Sequence, residues 1–383
     1  MHRRFLVAPH IVMLTSLVAL LTTSARGADE ARDPGLVAHY RCAEGQGEQL
    51  LDHSGHQHHG RIVGARWEQA GTRWALRFDG SGDYVDFGDN RALKMSGDFT
   101  LLAWVTLDAP SYPDANTNWT IFDCEAYPRE GTILRVDGAA TTVMFRSSRA
   151  GSTPYQFGKA KIANRGCYQI GVVRQGDQAR IIVDGVTDTA LACGGDPIYG
   201  SVPFKISSTS QSFAGLVHEA RLYSRALSAG DIADLYWREA ARAGKDVTRR
   251  GQLRLRASVY VDDPQVLAEV DFLGVLPLAE GEQAAVALLR SDGAAGSEQA
   301  ADPIPDACRG EFAFDMTGRP PGQYTLTAVV RGPTGKTRGE ARRAFDWPAS
   351  HTAKAPSPQT VTAPPLPAPR QRLQPQAAVL PGG

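Results

Sequence analysis

The feature that most constrains this chain is a long series of short apolar–polar alternations punctuated by clusters of Gly, Asp, Asn and Ser. Successive side chains of a strand point to opposite faces, so each such run reads as a strand and each cluster as a turn. Leu36–Tyr40, Arg61–Trp67, Trp74–Phe78, Tyr84–Phe87 and Phe99–Leu107 open the series. Thr132–Val136, Thr142–Arg146, Tyr168–Arg174, Ala179–Val183, Phe204–Ser207 and Leu216–Tyr223 continue it. Many short strands with no helices between them predict an all-β sandwich or jelly roll rather than βαβ units.

One helical pattern follows. Ser228 is placed to cap it, with Asp231 in the capping-box position, and Ile232, Leu235 and Tyr236 make an apolar stripe. Gly244 is a natural stop. We expect this helix to close one mouth of the sandwich and to end a first domain over residues 34–244. A second strand series begins with Leu253–Val261, Glu269–Val275 and Ala285–Leu289. It continues with Glu311–Met316, Tyr324–Val330 and Glu340–Phe345, predicting a smaller immunoglobulin-like β-sandwich over 250–347. Residues 348–383 are rich in Pro, Ala and Gln without hydrophobic periodicity, which predicts a disordered tail.

At the other end, Arg3 and Arg4 precede an apolar run from Phe5 to about Leu21, and Ala25-Arg26-Gly27 offers small residues for cleavage. This three-part pattern over 1–27 is that of a secretory signal peptide. The expectation is a secreted, periplasmic or cell-surface protein with no membrane insertion after cleavage. Export permits disulfides among Cys42, Cys124, Cys167, Cys193 and Cys308, with at least one cysteine left over from the odd number. Cys167 opens one strand and Cys193 closes the next segment, so this pair is the first disulfide candidate. Lys+Arg and Asp+Glu each number 41, giving no net charge and no footprint for nucleic acid.

Four ordered segments carry a family resemblance. They are Leu36–Tyr40 with the Glu44-Gly45-Gln46-Gly47 turn, the loop Asp52–Gly60 opening Asp-His-Ser-Gly, Leu76–Val85 leading to Phe99–Val105, and Phe213–Ser228 containing Glu219. Together they make residues 34–237 resemble the LamG-like jelly-roll family. That family belongs to the concanavalin A-like lectin/glucanase superfamily, with laminin G and pentraxin modules. The resemblance implies a binding module for a glycan or a cell-surface or extracellular protein partner. It also implies calcium as a cofactor, with Asp52, Asp79 and Glu219 as its carboxylates, although the position before Glu219, often acidic in the family, is His218 here. Gly80 and Gly82 fit a tight turn, and Tyr84, Trp104 and Tyr223 fit inward-facing strand positions.

Catalysis would need paired carboxyls on one strand face, as retaining glycoside hydrolysis requires. The E-x-D-x-E strand of the jelly-roll glucanases is missing, and Glu125 and Glu130 flank a loop-forming Tyr127-Pro128. We therefore expect no enzyme. His53, His56, His58 and His59 read as turn residues rather than metal ligands. The ligand rim is expected in the loop-like segment Tyr112–Tyr127, through Tyr112, Asn116, Asn118, Trp119 and Tyr127. Trp119 equally fits the start of a buried strand, Trp119–Phe122. A structural, adhesive protein-contact module is the alternative function, and a hydrolase relative ranks last.

Overall fold

The computed structural model describes residues 33–126, 130–149, 154–260, 264–290, 297–300 and 308–347. The signal segment expected over 1–27, Tyr127 and the tail expected over 348–383 lie outside the described residues.

The first domain begins with β1 (Leu36–Tyr40), β2 (Gln49–Leu50), β3 (Gly60–Val63), β4 (Arg66–Ala70) and β5 (Arg73–Asp79). β6 (Tyr84–Asp86), β7 (Phe99–Leu107), β8 (Asn118–Ala126), β9 (Glu130–Asp137) and β10 (Thr142–Ser148) follow. β11 (Gln156–Lys161), β12 (Cys167–Gln175), β13 (Gln178–Val183), β14 (Val186–Ala192), β15 (Lys205–Ser207) and β16 (Ala214–Tyr223) complete it. They form two antiparallel sheets. The first runs β14-β13-β12-β7-β16-β5-β4, with β1 also on β16, and the second runs β11-β10-β9-β8-β15-β6-β3-β2. Tyr40, Phe78, Phe99, Phe145 and Phe213 fill the space between them. The jelly-roll sandwich read from the strand pattern is the observed fold.

Most predicted strands appear within a residue or two, and the exceptions are instructive. The single run expected over Arg61–Trp67 is two strands in different sheets. Gly64 turns between them at φ +79°, where a Cβ would lie 2.1 Å from the Asp83 carboxylate. Tyr112–Tyr127 is not all loop, because Asn118–Ala126 is β8, with Trp119 buried as its first core residue. Trp104 and Tyr223 do not face the sandwich interior, nor does Tyr84, which lies half-exposed on the outer face of the second sheet. Trp104 and Tyr223 point from the outer face of the first sheet and are buried there by other elements. That cover makes β7 and β16 buried on both faces, so period two no longer distinguishes inside from outside.

The cover is α1 (Ala229–Ala240). Its capping box forms as expected, the Ser228 hydroxyl accepting from Asp231 N while the Asp231 carboxylate accepts from Ser228 N. The helix does not close a mouth of the sandwich. It lies on the outer face of the first sheet, with Ile232 and Leu235 against Leu36, Leu102, Val173 and Tyr223. Its other side, Ala233, Tyr236, Trp237 and Ala240, joins the core of the second domain.

That domain holds β17 (Arg254–Tyr260), β18 (Gln265–Asp271), β19 (Gln283–Arg290), β20 (Ser297–Ala300), β21 (Arg309–Asp315), β22 (Gly322–Arg331) and β23 (Thr337–Trp347). They form a three-stranded sheet, β17-β18-β21, and a four-stranded one, β20-β19-β22-β23. Residues 273–275, expected as strand, make a 3-10 turn against α1.

The disulfide expectation fails on distance. Cys167 starts β12, whereas the Cys193 amide donates to Asp177 O beyond the far end of that strand. Roughly 26 Å of extended chain separates the two ends, against the limit of about 7 Å between bridged Cα atoms. All five cysteines are thiols.

Candidate functional site

The carboxylates expected to hold calcium are spread over the molecule. Asp52 is buried and fully engaged, accepting from the backbone N–H groups of His39 (2.9 Å), Ser54 (2.9 Å) and His58 (3.0 Å) and from the Ser54 hydroxyl (2.8 Å). Burial alone would raise its pKa, but these donors outweigh it and hold the carboxyl below its usual range. The Asp-His-Ser-Gly loop is thus ordered by its own aspartate. Glu219 is enclosed by His39 Nε2 at 2.7 Å and Arg221 Nε at 2.9 Å. Burial disfavours its charge, yet Arg221 and His39 keep it ionised well below the carboxylate range. Asp79 lies five residues away along the sheet, opposite Ala214 at the other end of β16, and caps its own turn through Ser81 N. Among the described residues no group of three or more His, Cys, Asp and Glu side chains is arranged around a metal position. The loop histidines are used locally: His59 accepts from Asp52 N, His58 from Asn90, and His53 reaches Glu44.

The expected ligand rim divides in the same way. Tyr112 and Trp119 pack on each other with ring centroids 5.2 Å apart and join the sandwich core. Asn116 is exposed in a turn capped by Asp114. Asn118 alone reaches a polar surface: its amide donates to Gln211 Oε1, which also accepts from Arg135.

That surface is the outer face of the second sheet. Pairing register places Thr120, Asp123 and Glu125 of β8 on it, with Arg135 of β9 and Met144 and Arg146 of β10. Lys205 of the neighbouring β15 stands directly opposite Asp123. The Tyr155 ring lies over both guanidinium groups, 4.4 Å from Arg135 and 4.3 Å from Arg146, and Phe157 beside Met144 is 44% exposed. Thr120 Oγ1 and Arg135 Nε are buried and have no hydrogen-bond partner among the described residues. Buried polar atoms nearly always have partners, so these two stand out as exceptions on this face.

Sequence reading missed this face, and it missed the acidic pair on it. Asp123-Cys124-Glu125 places two carboxyls at i and i+2 of one strand, sharing a side. The expectation that no strand pairs carboxyls is therefore corrected. The signal was present, but it lacked the third acid of the glucanase pattern. Burial pushes both carboxyls up in pKa. Ser208 and Lys205 oppose this at Asp123, and Arg146, donating from Nε at 2.6 Å, opposes it at Glu125.

Residues 79–233 match the laminin G family model of the Concanavalin A-like lectin/glucanases superfamily. The first sandwich is a LamG-like jelly-roll domain of that superfamily. Among solved structures, domain 4 of AbnA, a GH43 extracellular arabinanase from Geobacillus stearothermophilus in complex with arabinotriose, is similar. It shows 20% identity and a TM-score of 0.44 over 52% of this chain and 98% of that one. Trypanosoma rangeli sialidase in complex with sialic acid shows 18% identity and a TM-score of 0.42 over 59% of this chain and 39% of that one. The botulinum neurotoxin serotype G binding domain shows 13% identity and a TM-score of 0.42, covering 76% and 67%. The chain spans about two fifths of the length of the sialidase. No curated protein matches the sequence significantly.

Proposed function

We propose that this is an exported, non-catalytic carbohydrate-binding protein whose glycan lies on the outer face of the second sheet. The observation that carries the reading is one sheet face on which unpartnered Thr120 Oγ1 and Arg135 Nε adjoin the Tyr155 and Phe157 rings. Sugars need both parts: apolar ring faces stack on aromatics, and hydroxyls seek fixed donors and acceptors. The second sandwich acts as an immunoglobulin-like spacer. Its division into first, second and fifth strands against fourth, third, sixth and seventh supports that assignment.

The test is a glycan array followed by calorimetry on the full chain, with calcium and with chelator. Tyr155→Ala and Arg135→Gln are expected to weaken any glycan hit by about tenfold or more. Failure to bind any glycan under either condition removes the reading, and an unchanged affinity with chelator removes calcium from it. The shared face of Asp123 and Glu125 favours a second reading, glycoside hydrolysis by a paired acid and nucleophile. Product analysis on the array hits separates the two: cleavage abolished by Glu125→Gln would make the protein an enzyme.

A further inference from the structure

The outer face of the first sheet, remote from the face described above, holds a concavity. Between β1, β5 and α1 opens a cleft of about 510 Å³, within the size range of small-ligand sites. Separate segments deliver arginines to its walls: Arg41 just after β1, Arg73 opening β5, Arg221 on β16, and Arg238 and Arg242 from α1 and the turn that follows. Five guanidinium groups there face two lining carboxylates, Glu219 and Glu239. Both carboxylates are already shared. Glu219 is held between His39 and Arg221, and Glu239 accepts from Arg73 at 2.8 Å and from Arg242 at 2.7 Å. Arg238 in turn is paired with Asp234 beside the cleft at 2.5 Å. Five arginines against these three carboxylates still leave a positive excess, and a concave, low-dielectric wall concentrates its field.

Two further observations point to a ligand. His218, 6% exposed, lines the same cleft, and its Nδ1 has no hydrogen-bond partner among the described residues. Its Nε2 shares a 2.9 Å hydrogen bond with Thr106 Oγ1, and when the hydroxyl donates there, the buried Nδ1 carries the proton. The second is Trp74, 39% exposed on the same wall. Its indole lies so close over Gly45 that a Cβ there would sit 2.6 Å from the ring. The glycine at φ +71° thus lets the ring lie flat against the backbone as a platform.

We propose that this cleft binds the carboxylate-bearing unit of an acidic saccharide, the carboxylate on the arginine fork and the sugar ring on Trp74. A planar carboxylate matches paired guanidinium donors, which favours it over a point anion. The exposed indole and a volume beyond that of a single anion call for a ring attached to the charge. The inference is independent of the face of the second sheet.

Calorimetry of the full chain with an oligogalacturonate, its methyl ester and inorganic sulfate tests it. The expected result is binding of the acid form only. The double variant Arg238→Gln/Arg242→Gln, both exposed side chains, should weaken it by at least about tenfold, and so should Trp74→Ala. Tyr155→Ala should leave it unchanged, which separates this site from the glycan face. Equal binding of the ester, binding of sulfate alone, full affinity in the double variant, or no binding of the acid form would each overturn the proposal.

Discussion

At the scale of single residues, buried polar groups in this protein differ in how completely their surroundings satisfy them. Asp52 and Glu219 are saturated with donors and hold structure. His218 is not, and its pKa is pushed down to about 4 by burial and by the nearby Arg73 and Arg77 charges. The unfolded chain would protonate this imidazole at its ordinary value near 6.5, so protons bind preferentially to the unfolded state in that interval. Stability is then complete above about pH 6.5 and falls as the pH is lowered toward 4, by on the order of 3 kcal/mol. Urea unfolding across that interval should show the slope in the native chain and lose it in His218→Gln. An identical slope in both would place its origin elsewhere. The burial of His218 and its unpartnered Nδ1 were beyond sequence reading, because neither depends on its neighbours in the chain.

At the scale of elements, α1 is the member that joins the two domains. The capping box made its position legible, and the Ile232–Leu235–Tyr236 stripe made one buried side legible. The splitting of that stripe was not, because Tyr236 turns with Ala233, Trp237 and Ala240 to a second buried side, against a domain that comes later in the chain. In the structure Tyr236 stacks on Trp104 with ring centroids 5.6 Å apart, and Trp237 Nε1 donates to Leu273 O at 2.9 Å. Removing so large a buried ring leaves a cavity and an unpaired carbonyl. Trp237→Ala should therefore cost about 3–5 kcal/mol and split one unfolding transition into two, read by calorimetry. A single transition at unchanged temperature would show that the helix does not couple the domains. β8 teaches a related lesson. Its apolar half was visible in Trp119–Phe122, but its continuation through Asp123 and Glu125 resembled loop until pairing with β9 placed both acids on one face.

At the scale of the whole molecule, zero net charge conceals local order. Equal numbers of acids and bases exclude a uniform field, yet the cleft beside α1 gathers arginines that stand far apart in sequence. The domains are likewise not independent beads. Trp104, Val186 and Tyr236 of the first share a core with Leu273, Phe272 and Cys308 of the second. Truncation after Lys245 should uncover this apolar surface, giving added binding of a hydrophobic dye and self-association in size-exclusion chromatography. A monomeric fragment with no added dye binding would show the interface to be dispensable.

The sequence by itself determined the jelly roll, the second strand series and the capped helix. Each is written locally, in period-two alternation, turn glycines and a four-residue cap, and backbone sterics read such signals without reference to the rest of the chain. It could not determine which faces are covered, because Trp104 and Tyr223 obey the strand alternation whether they meet the sandwich core or a helix laid on the outside. Nor could it bring together Arg41, Arg73, Arg221 and Arg242, or keep Cys167 from Cys193. Those outcomes depend on strand order and on the packing of α1 between two domains. Only the tertiary structure decided them.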